Sequence, residues 1–194
     1  MEKAELTLIV GGVRSGKSKE AERHAVLEAE RLKGALHYVA CGKITDEEMA
    51  ARVCSHQRER KASGKEWTTW EQPVRIETLS ERFTQQDTVL IDCLTTLLTN
   101  EWFAGNTKEE EWADPNFHMS VTHNIRMGID QIRESAGAVI IVSNELAYEL
   151  LGSPLVFYYA KALGELHQWL INEAALAVLV EHGCPLVKKE RLKV

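Results

Sequence analysis

The string Gly11-Gly12-Val13-Arg14-Ser15-Gly16-Lys17-Ser18 limits what this chain can fold into more than any other part of it. It matches in full the P-loop pattern of glycine, four residues, glycine, lysine and a hydroxyl residue. It also stands in the right place. Leu6 to Val10 is a short run apolar but for Thr7, the pattern of a strand buried on both faces of a sheet, and from Lys17 to about Lys33 the residues Ala21, Ala25, Ala29 and Leu32 recur at helical spacing. Gly34 follows where a helix C-cap is expected. Strand, glycine turn and helix together bring several backbone N–H groups and the positive end of a helix to one point. That point binds an anion. Lys17 then supplies a point charge to the β- and γ-phosphates of a nucleoside triphosphate, and the Ser18 hydroxyl a ligand for Mg²⁺.

The rest of the chain repeats the alternation. Nearly all-apolar strands are expected at Leu36 to Ala40, Thr88 to Ile91, Ala138 to Ser143 and Leu176 to Val180, with helices from about Met119 to Ser135 and from about Leu155 to Asn172. A further helix opens at Asp46-Glu47-Glu48, whose acids suit the positive end of its dipole. The stretch from Gly105 to Asn116 reads as an exposed connection, and the basic tail Lys188-Lys189-Glu190-Arg191-Leu192-Lys193 as a solvated, frayed terminus. No interdomain linker or internal repeat is visible. The expectation is one α/β domain over residues 1–194, of P-loop NTPase type, with a mostly parallel sheet covered by helices on both faces.

Composition removes other classes. The longest unbroken apolar run, Ala174 to Val180, is far short of the ~20 residues that span a bilayer, and the charged start Met1-Glu2-Lys3 has no signal-peptide character. The cytoplasm is the expected location. Cys41, Cys54, Cys93 and Cys184 are scattered, which argues against both a disulfide framework and a zinc site. With 23 basic against 29 acidic residues the chain has a formal charge of −6, a poor footprint for a nucleic-acid partner. Local charge is different, because Arg14, Lys17, Lys43, Arg52, Arg58 and Arg60 fall on the segments expected to ring a triphosphate.

Other residues attract notice for their placement. Asp92 ends a buried strand, where ligands meet an open α/β sheet; it suits a Mg²⁺ site, a nucleoside contact, or a cap for a helix starting at Thr95. Arg52, His56 and Arg60 are spaced i, i+4, i+8, one column on a helix, with Met49 and Val53 toward the core. Flanking arginines hold an imidazole neutral and therefore nucleophilic, and arginines suit phosphate oxygens; on the residues alone, a solvated helix face is the plainer reading of the column. Trp67, Thr69 and Glu71 alternate onto one side of a strand, at a nucleotide or at a sheet edge with Trp67 in the core.

Taken together, these residues resemble the adenosylcobinamide kinase / adenosylcobinamide-phosphate guanylyltransferase family of cobalamin biosynthesis. The loop is that family's Gly-Gly-x-Arg-Ser-Gly-Lys-Ser version, and Tyr38-Val39-Ala40, Asp46, Glu48-Met49, Arg52, His56, Arg60, Trp67-x-Thr69-x-Glu71, Asp92-Cys93-Leu94-Thr95, Asn100 and Asn144-Glu145 follow in order. The resemblance covers about residues 6 to 145 well. It implies two reactions: ATP or GTP phosphorylates the aminopropanol hydroxyl of adenosylcobinamide, and a histidine then takes GMP from GTP and passes it to the new corrinoid phosphate. It further implies that Lys17 and His56 are catalytic, His56 as the guanylylated histidine. The nucleotide contacts it implies are Gly11, Gly12, Val13, Arg14, Ser15, Gly16, Lys17, Ser18, Cys41, Gly42, Lys43, Gln57, Arg58, Glu59, Arg60, Glu71 and Asp92. An acid at 71 or 92 suits the guanine N1–H and amino groups. Family members are oligomers, typically trimers.

The chain also departs from the family. A longer connection, Lys61 to Glu66, replaces the usual proline after Arg60; Phe157-Tyr158-Tyr159-Ala160-Lys161 replaces an arginine-rich stretch; His167 stands where asparagine is usual; and Glu181-His182-Gly183 replaces a small-residue turn. The residues alone leave two rivals: a kinase-only P-loop phosphotransferase and a nucleotide-binding module without turnover.

Overall fold

The computed structural model describes residues 3–42, 60, 64–104, 113–146 and 152–191. Seven strands form one sheet: β1 (Glu5–Gly11), β2 (Leu36–Ala40), β3 (Trp67–Glu71), β4 (Thr88–Asp92), β5 (Ala138–Asn144), β6 (Leu176–Glu181) and β7 (Cys184–Glu190). Their spatial order is β3-β2-β4-β5-β1-β6-β7, and every neighbouring pair is parallel except β6 with β7. The chain thus has the mostly parallel sheet that its apolar runs require.

Two cores sandwich the sheet. On one face lies α1 (Lys17–Leu32), whose Ala21, Ala25 and Ala29 are buried against Ile9, Leu36, Tyr38, Leu90, Ile140, Val142 and Val178. Alanines at i, i+4 and i+8 put no bulk between helix and strands. The axis of α1 therefore lies close to the sheet, with its N-terminus at the end of β1. On the other face α2 (Leu94–Trp102), α3 (Pro115–Ser135) and α4 (Pro154–Glu173) cover the larger core. There the fully buried Trp102 stacks on His118 at 5.1 Å and meets Phe117 and Tyr159 edge-on.

Several boundaries differ from the sequence reading. The helix α3 begins at Pro115, inside the stretch read as a connection, because the Asp114 carboxylate accepts from the Asn116 N–H at 2.9 Å and proline suits the first helical position. The left-handed residue closing α1 is Lys33, with Gly34 beyond it. The larger correction is the C-terminal segment. Cys184–Glu190 is a strand, and the Lys189 ammonium donates to the Ile171 and Asn172 carbonyls at 2.6 and 2.9 Å, capping the end of α4. Residues 192–194 of that tail, and the expected helix at Asp46, lie outside the described residues.

Among the described residues, no helix is long and apolar enough to cross a membrane. Cys41, Cys93 and Cys184 are free thiols.

Candidate functional site at the C-terminal rim of the sheet

The loop from Gly11 to Ser18 is shaped by two glycine positions. A Cβ on Gly11 would lie 2.5 Å from both the Val180 carbonyl and Ser15 Oγ, so only glycine lets β1, β6 and the loop meet there. Gly16 has φ 93° at the N-cap of α1, a left-handed conformation that glycine adopts freely. Arg14 is also left-handed, at φ 59°.

The loop is braced from outside by the β6–β7 turn. The Gly183 N–H donates to the Ser15 carbonyl at 2.8 Å, and the Glu145 N–H donates to Gly11 at 3.1 Å from the end of β5. Gly12, Val13, Arg14 and Gly16 are exposed at the mouth, whereas Ser15 and Lys17 are buried. The Lys17 ammonium donates to the Gly12 carbonyl at 3.0 Å, which places the positive charge over the start of the loop. Ser18, in the first turn of α1, is half-buried.

Strand register places the acids. Glu71 pairs with Ala40, Ala40 with Asp92, and Asp92 with Val142. Paired residues of parallel strands share a face, and Ala40 and Val142 face α1, so Glu71 and Asp92 do too. They stand about 10 Å apart, two strand spacings. Trp67 and Thr69 share that side, as the alternation predicts, and β3 is an edge strand with Trp67 packed against the core.

Asp92 does not cap the next helix. Its Oδ2 accepts from the Tyr38 hydroxyl at 2.9 Å, and the N-cap of α2 is Cys93, without a side-chain cap. Burial, reinforced by the nearby Asp92 charge, raises the Tyr38 phenol well above its ordinary pKa and keeps it a proton donor. Over the Tyr38 ring, 3.7 Å from its centroid, lies the Arg60 guanidinium, whose Nη1 donates to Glu22 Oε1 at 3.3 Å. Glu22, Arg60, Tyr38 and Asp92 thus form one connected chain from α1 to the end of β4.

Cys41 is fully buried; its N–H donates to the Asp92 carbonyl at 2.9 Å and its carbonyl accepts from Asn100 Nδ2 at 2.7 Å. Burial pushes its thiol pKa well up, which makes it inert. Gly42 is exposed next to it. Lys43, His56, Gln57, Arg58 and Glu59 lie outside the described residues.

Sequence reasoning missed Tyr38, Glu22 and the β6–β7 turn as supports of the rim. Glycine at 183 following His182 was the available signal, since both have positive φ, 81° and 52°, as a two-residue hairpin turn requires.

A glycine loop between a buried strand and a helix, with carboxylates along the same sheet rim, defines a nucleotide-binding α/β protein of the P-loop NTPase type. A solved ATPase domain has that fold too, with TM-score 0.52 at 12% identity over 98% of this chain and 78% of its own. The chain belongs to the cobinamide kinase / cobinamide phosphate guanyltransferase family, whose pattern matches residues 7–188. It is 30% identical to the bifunctional adenosylcobalamin biosynthesis protein CobU of Salmonella typhimurium, over 92% of this chain and 96% of that protein. The corresponding protein CobP of Pseudomonas aeruginosa is also 30% identical, over 94% and 96%. The match therefore extends past Glu145 through most of the C-terminal third.

Proposed function

We propose that this chain performs both reactions of its family at the rim built by Gly11–Ser18, Asp92 and Glu71: phosphorylation of adenosylcobinamide by ATP or GTP, then GMP transfer from GTP to the corrinoid phosphate. The observation that carries the reading is the register that sets the loop, Asp92 and Glu71 on the one face occupied by α1.

In the first reaction, the loop N–H groups and Lys17 neutralise the β- and γ-phosphates. The corrinoid hydroxyl oxygen bonds to the γ-phosphorus, the bond from that phosphorus to the β–γ bridging oxygen breaks, the nucleoside diphosphate leaves, and the hydroxyl proton passes to solvent water. The Ser18 hydroxyl and the Asp92 carboxylate, with one oxygen held by Tyr38, are hard oxygen donors and fit Mg²⁺ alongside substrate phosphates. That ion, when bound, screens the charge on the β- and γ-oxygens.

In the second reaction, a nitrogen of His56 bonds to the α-phosphorus of GTP as pyrophosphate leaves. An oxygen of the corrinoid phosphate then bonds to that phosphorus and frees the histidine. Arg58 suits the phosphate oxygens, and Glu71 the guanine edge. We further propose a cytoplasmic homotrimer, as the family resemblance implies. The test is transfer of label. Lys17→Ala removes γ-label transfer to adenosylcobinamide, and His56→Ala removes α-label transfer from GTP; retention of either by its variant overturns that half of the reading.

A further inference from the structure

The geometry points to Asn144 as the residue that touches the transferred γ-phosphoryl group, its side-chain amide donating to a γ-phosphate oxygen; this rests on the kinase half of the function proposed above.

Asn144 ends β5, the strand between β1 and β4. It is in register with Gly11, the first residue of the loop. Two residues before it, Val142 is in register with Asp92 and packs against α1. By the two-residue period of a strand, Asn144 projects to the same face, about 8 Å from Asp92 and about 5 Å from Gly11 between Cα atoms. The γ end of the triphosphate is marked by Lys17, whose ammonium sits on the Gly12 carbonyl at 3.0 Å. Gly12 follows the register partner of Asn144. The amide therefore stands between the γ end of the loop and the Asp92 carboxylate, where negative charge develops in transfer.

The backbone under Asn144 is held on both sides. Its N–H donates to Thr95 Oγ1 at 2.9 Å, and the next N–H, that of Glu145, donates to Gly11 at 3.1 Å. Ser143, fully buried, turns to the opposite face, where its Oγ lies 3.3 Å from Thr95 Oγ1 and 2.7 Å from His167 Nε2. The Thr95 carbonyl accepts from the Tyr159 hydroxyl at 2.7 Å. Burial lowers the His167 pKa, and its Nε2 shares a hydrogen bond with the Ser143 hydroxyl. The Asn144 N–H, the Thr95 and Ser143 hydroxyls and the His167 ring are thus joined in one continuous run of hydrogen bonds. His167 and Tyr159 are departures from the usual family sequence, and both serve to fix the strand end that carries Asn144.

The test compares nucleotide affinities as well as rates. A group that meets only the γ-phosphoryl leaves diphosphate binding intact. Asn144→Ala is expected to bind ADP and GDP within about twofold of the parent, to bind ATP and GTP about tenfold more weakly, and to phosphorylate adenosylcobinamide about 10²-fold more slowly. Asn144→Asp keeps the shape and sets a carboxylate against the phosphate, so its triphosphate affinity falls further while diphosphate affinity follows the alanine variant. Equal losses for di- and triphosphate, or no loss for either, overturn the assignment. If the parent binds triphosphate and never phosphorylates cobinamide, the kinase reading fails, and the ratio of the two affinities still decides the role of Asn144.

Discussion

Replacing Arg60 with alanine separates a structural tie from a phosphate contact. The Arg60 side chain is 5% exposed and its partner Glu22 is 13% exposed, so both charges are largely withdrawn from water. The guanidinium also covers the Tyr38 ring at 3.7 Å. Arg60→Ala takes away the cation and leaves the Glu22 carboxylate in a site built for an ion pair. Removing one partner of a buried pair costs about 3–5 kcal/mol, and residual exposure of Glu22 places this pair near about 3 kcal/mol. For a chain of this size that corresponds to a melting temperature lower by about 6–12 °C. Circular dichroism melts of the nucleotide-free protein measure it. Glu22→Gln in the same background costs less than it does in the parent, because the bond it would break is already gone, and the cycle gives a coupling of about 1–2 kcal/mol. A variant that melts within about 2 °C of the parent, with no coupling to Glu22, refutes the reasoning.

Two further outcomes follow from the loop and from three histidines that are buried or half-buried. Gly11→Ala forces a Cβ to within 2.5 Å of the Val180 carbonyl, whereas nothing lies within 4 Å of a Cβ on Gly12. The first variant is expected to lose about 1–3 kcal/mol and nucleotide binding with it, and Gly12→Ala to stay within about 0.5 kcal/mol by denaturant unfolding; equal effects contradict the account. Burial lowers the pKa of His24, His37 and His167, and the Trp70 indole N–H donates to His37 Nδ1 at 3.1 Å, a bond only the neutral ring accepts. Below the ordinary histidine range the unfolded chain therefore binds more protons than the folded one, so stability is lost as pH falls from about 7 to about 5, by at most about 1.4 kcal/mol per pH unit for each histidine. His37→Gln makes that dependence shallower; a parent whose denaturant midpoint is flat over the window contradicts it.

The parts of the fold legible in the sequence were those whose environment is uniform. Leu36–Ala40 has the bounds read from the sequence because four of its five residues are buried, and its one polar interruption, His37, is satisfied by the Trp70 indole N–H. Cys184–Glu190 was opaque for the opposite reason. Its residues are almost all exposed, and the lysines and proline that keep an edge strand from pairing with another chain look like a loose basic tail. The 3₁₀ segment Ile76–Arg82 buries only Ile76 and Leu79, too few to show a period.

The site divides in the same way. The P-loop is a local device, so adjacent residues announce it. The links from Tyr38 to Asp92, from Arg60 to Glu22 and from Gly183 to Ser15 join residues far apart in the chain, and only strand order and register bring them together. Asp92 was legible as a rim residue from its place at a strand end; that it takes a phenol donor rather than capping α2 was not.

The proposed guanylyl transfer turns on whether His56 carries GMP. Mass spectrometry of the protein after incubation with GTP, followed by peptide mapping at neutral or alkaline pH, is predicted to find one GMP-sized increment on the peptide containing His56, lost on acid treatment and absent from His56→Ala. An unmodified protein under conditions where adenosylcobinamide phosphate is converted to its GDP derivative, or an adduct that survives in His56→Ala, contradicts it.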